Sequence, residues 1–384
     1  MALPLFFLCG LLMAFPGAIL PAWGYHVTSE YVAAGSYFLA MNVGLLVSAP
    51  GGVYILKHRT TRFALVTSCA TAGASFLILA ALSPPAGWYW RAAAVAVMGW
   101  SAGLMMSLAF RIISPLYERH AAAAVNLAGI LFGLGCLVMA LLVAGTFYEY
   151  TLPSKMILAA LIPGFAAGLY ARVQFAIPVQ RLEQDWREVW RDVKSPTALL
   201  FSLLLFFQMG NEWSVAGFLA IFLIQRLGAS PSSALSMLAF YWAVLTLGRV
   251  AAQWLLPRAG HGKLLLSSAV AALLGCTALM STNSLLGAGA AIVLVAGGFA
   301  MIYPLVVEKI GGRFPDYHPG FYNGLFSLGV TGGLLAPWSL SLIVDWLGIQ
   351  FAMIVPALGT FMVVLLVGLL WLEAALTGAS RGRV

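Results

Sequence analysis

Apolar runs of about twenty residues recur along the whole chain, separated by short stretches where polar and charged residues gather. Twelve can be drawn, at roughly 3–24, 32–56, 63–83, 90–112, 121–147, 153–172, 199–225, 232–256, 264–282, 286–308, 319–343 and 348–371. Each is long enough to cross a bilayer as an α-helix, which takes ~20 apolar residues. None alternates polar and apolar positions with the period of two expected of an outer-membrane strand. The pattern predicts an all-α polytopic membrane protein with twelve transmembrane helices and both termini on one side.

Composition sharpens this. The 384 residues are 62% hydrophobic and 8% charged, against about 25% charged in a soluble domain. Thirty-two charges (20 Lys and Arg, 12 Asp and Glu) cannot coat a soluble surface of this size. A soluble enzyme, a disordered chain and a nucleic-acid-binding module are excluded. The net charge of +8 reads instead as topology. Seventeen of the basic residues fall after even-numbered spans or in the tail, among them Lys57, Arg59, Arg62, Arg111, Arg249 and Lys309, and three (Arg91, Lys155, Arg226) fall on the other side. The positive-inside rule then puts both termini in the cytoplasm and the protein in the cytoplasmic (inner or plasma) membrane.

The longest hydrophilic stretch joins spans 6 and 7. Residues 181–194 read RLEQDWREVWRDVK and carry eight of the 32 charges. Leu182, Trp186, Val189 and Val193 recur at helical spacing with Trp190 beside them, which predicts an amphipathic helix on the cytoplasmic interface, with a solvated linker helix that touches no lipid as the alternative. The expected domains are an N-terminal bundle at 1–172, a linker at 173–198 and a C-terminal bundle at 199–384. The N-terminus lacks the basic n-region of a cleaved signal peptide and reads as the first span. Cys9, Cys69, Cys136 and Cys276 lie inside apolar runs and read as packing residues, with no disulfide or metal role.

The two halves repeat. Gly10-x6-Gly17 in span 1 matches Gly210-x6-Gly217 in span 7. Tyr37-x6-Gly44 matches Tyr241-x6-Gly248, Gly99 to Arg111 matches Gly297 to Lys309, and Asn126-x8-Gly135 matches Asn323-x8-Gly332, all at offsets between 197 and 204. A duplicated six-helix unit keeps both halves in one orientation and places a site between them at mid-depth. On these features the chain resembles the major facilitator superfamily over essentially its whole length. That resemblance implies two six-helix bundles around a cavity reached alternately from each side. The segment Gly52 to Arg62 holds the place of the family's acidic-basic loop between spans 2 and 3, with Leu56 where the family has Asp, so that residue's role does not carry over. Within the superfamily, GNEWSVAGFLAIFL and FYWAVLTLGR in spans 7 and 8 resemble the fucose/galactose/glucose-type sugar:proton symporters. The acids those carry in spans 1 and 4 are missing here.

Of the 12 acids, Glu212 alone sits at the centre of a span, with Asn211 and Trp213 beside it and Gln208 one turn earlier. A carboxylate at mid-bilayer costs about 2.5–3.5 kcal/mol on insertion scales and faces the bundle interior or a watery cavity. It is a candidate for taking up and releasing a proton, with a structural buried acid as the alternative. The positions equivalent to Asn211, Glu212 and Trp213 in span 1 are Leu11, Leu12 and Met13. Asn42, Trp100, Tyr241, Asn126 and Asn323 are further polar positions suited to a hydroxylated solute, or to helix–helix hydrogen bonds. Arg249, two turns inside the cytoplasmic end of span 8, and Glu308, at the end of span 10, form a candidate gate pair, with Arg111 as the first-half counterpart of Arg249. Snorkelling to lipid phosphates is the competing role for Arg249. Trp23, Trp88, Trp90, Trp254, Trp346 and Trp371, near span ends, read as interfacial anchors.

No P-loop, H-E-x-x-H or nucleophile–base pattern occurs, so neither an enzyme nor a cofactor is expected. The leading expectation is a monomeric secondary transporter of a small polar solute such as a sugar, coupled to protons through Glu212. Proton-coupled efflux of drugs or metabolites, and a channel or non-transporting receptor on the same scaffold, remain open at this level.

Overall fold

The computed structural model describes residues 3–173, 196–255, 258, 260–313 and 319–376, with the backbone alone at 53, 56, 111, 113–125, 311–313, 319–327 and 374–376. The predicted amphipathic helix at 181–194 lies outside the described residues. In chain order the helices are α1 (Leu3–Ile19), α2 (Tyr25–Thr28), α3 (Tyr31–His58), α4 (Thr61–Ala81), α5 (Trp88–Gly145), α6 (Leu152–Arg172), α7 (Pro196–Leu227), α8 (Pro231–Leu255), α9 (His261–Ser281), α10 (Leu285–Arg313), α11 (Pro319–Leu347) and α12 (Ile354–Leu376). No strand occurs among the described residues. An all-helical chain follows from its solvent, because in hydrocarbon every backbone polar group must be satisfied within its own segment or in a closed barrel.

Among the described residues eleven segments are long and apolar enough to cross a membrane, and α1, with 17 residues, is an apolar helix just short of that length. The first predicted span therefore ends early. Beyond Ile19 the chain turns through Gly24, at φ 84°, into the short α2, which the hydrophobic pattern did not separate.

The predicted break between spans 4 and 5 takes an unexpected form. Helical backbone runs from Trp88 to Gly145, yet it cannot be straight. The Cys9 thiol lies 3.5 Å from the Ala102 carbonyl oxygen, and the adjacent Gly10 abuts the backbone of Phe132. Thirty residues of straight helix would part Ala102 from Phe132 by about 45 Å. The chain doubles back between them, and its limbs Trp88–Phe110 and Asn126–Gly145 each form a span.

The face carrying the chain's described ends, Leu3 and Leu376, is called the near face below, and the opposite one the far face. In the first bundle the limbs of α5 pack on α1, α3 and α4, and α4 packs on α6. In the second, α7 packs on α11 and α12, α8 on α10, and α9 on α10 and α12. The bundles meet along α5–α8, α3–α11 and α1–α7.

The repeated glycines are the crossing points of each bundle. A Cβ at Gly10 would meet the Phe132 carbonyl in the second limb of α5. At Gly210, two hundred residues on, it would meet Ala336 and Gly332 in α11. Gly135 lies against Phe7 and Leu11 of α1, as Gly332 lies against Phe206 of α7, and Gly44 meets Ala96 of α5 as Gly248 meets Ala300 of α10. Membrane helices gain little from a hydrophobic effect between themselves, so close backbone approach at small residues holds such pairs together. The four cysteines are free and buried.

At the far face the bundles are joined by neutral contacts. Gln225 of α7 accepts from the Tyr31 hydroxyl (2.8 Å) and donates to the His26 carbonyl (2.9 Å) and the Ser29 hydroxyl (3.1 Å). Phe38 stacks on Phe218 at 6.2 Å, Gly17 abuts Ala216, and Gly35 abuts Ser341. Burial pushes the His26 imidazole below its ordinary value, and the latch itself is made of an amide, two hydroxyls and a backbone carbonyl.

Candidate functional site

Glu212 lies midway along α7 and is only 1% exposed. It is not a lone acid. Arg249 of α8, itself 5% exposed, places Nη2 3.0 Å from Glu212 Oε1. Helix α7 carries the carboxylate on the face turned to α8, and the long arginine side chain reaches inward from two turns inside the end of α8. Its other arm donates to the Gly129 carbonyl in the second limb of α5, at 2.9 Å. The Asn126 amide, one turn before Gly129, donates to the Arg249 carbonyl at 2.9 Å. A charged pair of the second bundle is thus tied at two points to the first.

Gly129 lies close to the arginine, and a Cβ there would stand in ordinary contact with the Arg249 side chain at 3.4–3.7 Å. One turn on, Gly133 lies against Thr246. Phe132 meets the Trp213 ring edge-on at 6.0 Å, and Trp213 packs on Trp242 at 5.4 Å. The Tyr241 hydroxyl donates to the backbone carbonyl of Glu212 at 3.0 Å and fixes the helix at that residue.

Several polar atoms around the pair have no hydrogen-bond partner among the described residues: Glu212 Oε2, Asn126 Oδ1, Gln208 Oε1 and Arg249 Nε. Leaving such an atom buried and unpaired costs about 1–3 kcal/mol, more for a charged group. Three of these are acceptor oxygens, which suit a ligand donating hydroxyl protons, while Arg249 Nε and the nearby Asn211 Nδ2 and Ser214 Oγ are donors in the same state. Two shallow surface hollows, of about 460 and 340 Å³, lie at Lys57–Phe63 and around Glu30, Trp88 and Asp345; neither is lined by Glu212.

The other sequence-selected residues divide. Gln208 is buried on the side of α10, where its amide reaches the Phe299 carbonyl at 3.4 Å. Asn211, adjacent to Glu212 and so about 100° from it around the helix, lies against Gly359 of α12. Asn42 is buried with Oδ1 unpartnered, and no hydrogen bond links it to the pair. Trp100 packs on Gly44 and Gly51 of α3 inside the first bundle. The side chains of Arg111 and Asn323 lie outside the described residues.

The pairing of Arg249 with Glu308 is corrected. Glu308 instead meets His261 Nε2 at 2.8 Å, with both side chains more than a third exposed. A desolvated guanidinium gains most from the most deeply buried carboxylate, and a hydrated Glu308 has little to offer it. Trp23 is also corrected. It is 6% exposed and packs inward on Phe15 and Arg91, so it is no interfacial anchor.

Two helical bundles thus meet on a seam that buries a charged pair. The family model of the Major Facilitator Superfamily matches residues 2–337, and the chain belongs to that family. It is a multi-pass transporter, not an enzyme. Its fold is similar to that of the E. coli fucose:proton symporter FucP, at 16% identity over 96% of this chain and 98% of that one, with a TM-score of 0.64. FucP in its outward conformation gives 16%, 96%, 99% and 0.63. The nucleoside transporter NupG gives 14%, 96%, 98% and 0.71. At such identities the likeness is one of fold. No curated protein sequence matches the chain.

Proposed function

We propose that the protein is a proton-coupled carrier of a small hydroxylated solute, a sugar or a sugar-bearing molecule, working by alternating access. One observation carries this reading: the Glu212–Arg249 pair is tied to the opposite bundle, among acceptor oxygens that have no partner. Solved carriers of similar fold are named for fucose with a proton and for nucleosides, solutes rich in ring hydroxyls.

Ionised Glu212 holds Arg249 in place, and Arg249 in turn holds Gly129 and, through its carbonyl, Asn126. Protonating Glu212 removes the charge that Arg249 was facing and loosens the α5–α8 seam. Solute hydroxyls then donate to Asn126 Oδ1 and Gln208 Oε1, and the protonated Glu212 carboxyl donates to a solute oxygen. Opening this seam exposes the site on the near face, and releasing the Gln225 latch exposes it on the far face. The excess of basic residues on the near face orients it to the cytoplasm, across the cytoplasmic membrane. The contact is bistable in the sense alternating access requires: made in one state and lost in the other.

The test is uptake into proteoliposomes under an imposed pH gradient, with labelled neutral monosaccharides and nucleosides as probes. Wild type accumulates its solute above the outside concentration. Glu212→Gln accumulates none while still exchanging solute across the membrane. Undiminished pH-driven accumulation in that variant removes Glu212 from coupling.

A further inference from the structure

A second set of unpartnered buried atoms lies at the far face, inside the first bundle, and its composition is opposite to that of the seam. It consists of nitrogens: Arg91 Nε and Nη1, and the indole Nε1 of Trp23. Arg91, in the first turn of α5, is 7% exposed. Its guanidinium carbon stands 4.9 Å from the ring centre of Trp23, 5.8 Å from that of Tyr25 and 5.9 Å from that of Tyr37. The two tyrosine hydroxyls are bonded to each other at 2.7 Å, which fixes the cage.

No carboxylate lies within ion-pair distance of Arg91 among the described residues. Aromatic faces attract a cation but accept none of its hydrogen bonds in the plane of the fork. A buried, unpaired guanidinium is costly, and its planar donors match the paired oxygens of a carboxylate or phosphate. The nearby indole N–H supplies a third donor. Donors without acceptors call for an oxyanion, just as the acceptors at the seam call for hydroxyls.

We propose that Arg91 and Trp23 form a binding site for an oxyanion, a carboxylate or phosphate group, at the far-face end of α1, α3 and α5. The group has two sources, a dissolved anion or the phosphate of a lipid headgroup. The site does not depend on how the seam works, so the two readings fail separately.

The experiment measures thermal unfolding of the full-length protein in a neutral maltoside detergent. The probes are inorganic phosphate and acetate at constant ionic strength and, separately, phosphatidylglycerol in mixed micelles. Arg91→Gln removes the fork. Trp23→Phe keeps an aromatic face and removes the N–H together with the smaller ring of the indole, so it decides the matter if Arg91→Gln does not fold. A saturable rise in unfolding temperature with phosphate or acetate, lost in Arg91→Gln and requiring about tenfold more anion in Trp23→Phe, assigns the site to dissolved anions. The same pattern with phosphatidylglycerol alone assigns it to a lipid headgroup. No saturable response to any probe, or an equal response in wild type and both variants, overturns the proposal and leaves Arg91 as a structural cation in an aromatic cage.

Discussion

Helices α1 and α7 occupy the same place in their respective bundles and are held the same way. Gly10 and Gly210 are their crossing points, and Gly17 and Gly217 face the opposite bundle. Between those glycines they part company. Leu11, Leu12 and Met13 of α1 are buried among apolar neighbours, whereas Asn211, Glu212 and Trp213 of α7 carry an amide, a charge and an indole. Duplication kept the packing frame, which needs only small residues at fixed intervals, while the polar chemistry stands in one copy. The partner of that chemistry in the first bundle is not a side-chain charge but the backbone carbonyl of Gly129, with an amide from Asn126 beside it. One bundle carries the charged pair, and the other senses it through neutral dipoles.

The sharpest way to break this asymmetry is Arg249→Gln. It leaves a buried carboxylate without its cation, which typically costs about 3–5 kcal/mol. The variant is expected to unfold at markedly lower temperature and to lose transport. Adding Glu212→Gln is expected to restore most of the stability and none of the pH-driven accumulation. If Arg249 were only snorkelling to lipid, the single change would be near neutral and the double change additive, which a double-mutant cycle detects.

The shared frame is tested by Gly10→Ala against Gly210→Ala. An added Cβ at Gly10 runs into the Phe132 carbonyl, while at Gly210 it meets Ala336 at 3.0 Å and Gly332 at 3.2 Å. Overpacking costs about 1–3 kcal/mol, and the unfolding midpoint is expected to drop further for Gly10→Ala. Equal drops would contradict the crossing geometry. The smallest effect is expected at His261→Gln. The His261–Glu308 pair is well exposed, and such pairs contribute at most about 1 kcal/mol. Uptake is expected to be unchanged, and a loss rivalling that of Arg249→Gln would return Glu308 to the gate.

These contrasts follow what was legible in the chain. Span number, the two-bundle fold and the crossing glycines show in the sequence because hydrophobic length and small-residue spacing are local. Glu212 shows because a mid-span acid is costly wherever it sits. Its partner does not, since Arg249 lies 37 residues away and near a span end, where Glu308 looks equally available. Burial decides between the two acids, and burial is a property of packing. Arg91 hides for the same reason. In sequence it is a basic residue at a span end beside aromatic residues, and only the fold closes Trp23, Tyr25 and Tyr37 around it. The gap between the limbs of α5 shows in the apolar pattern, between 112 and 121, while the helical backbone that runs through it does not.

The central claim is that Glu212 takes up a proton as its pairing with Arg249 is lost and gives it back as the pair re-forms. Infrared difference spectroscopy across a pH titration of the purified protein tests this most directly. A protonated carboxyl band is expected to appear on acidification of wild type and to be missing from Glu212→Gln, with its midpoint shifted when a transported solute is added. If the spectra of wild type and Glu212→Gln are identical over the whole range, Glu212 holds one protonation state throughout and the coupling assigned to it is wrong.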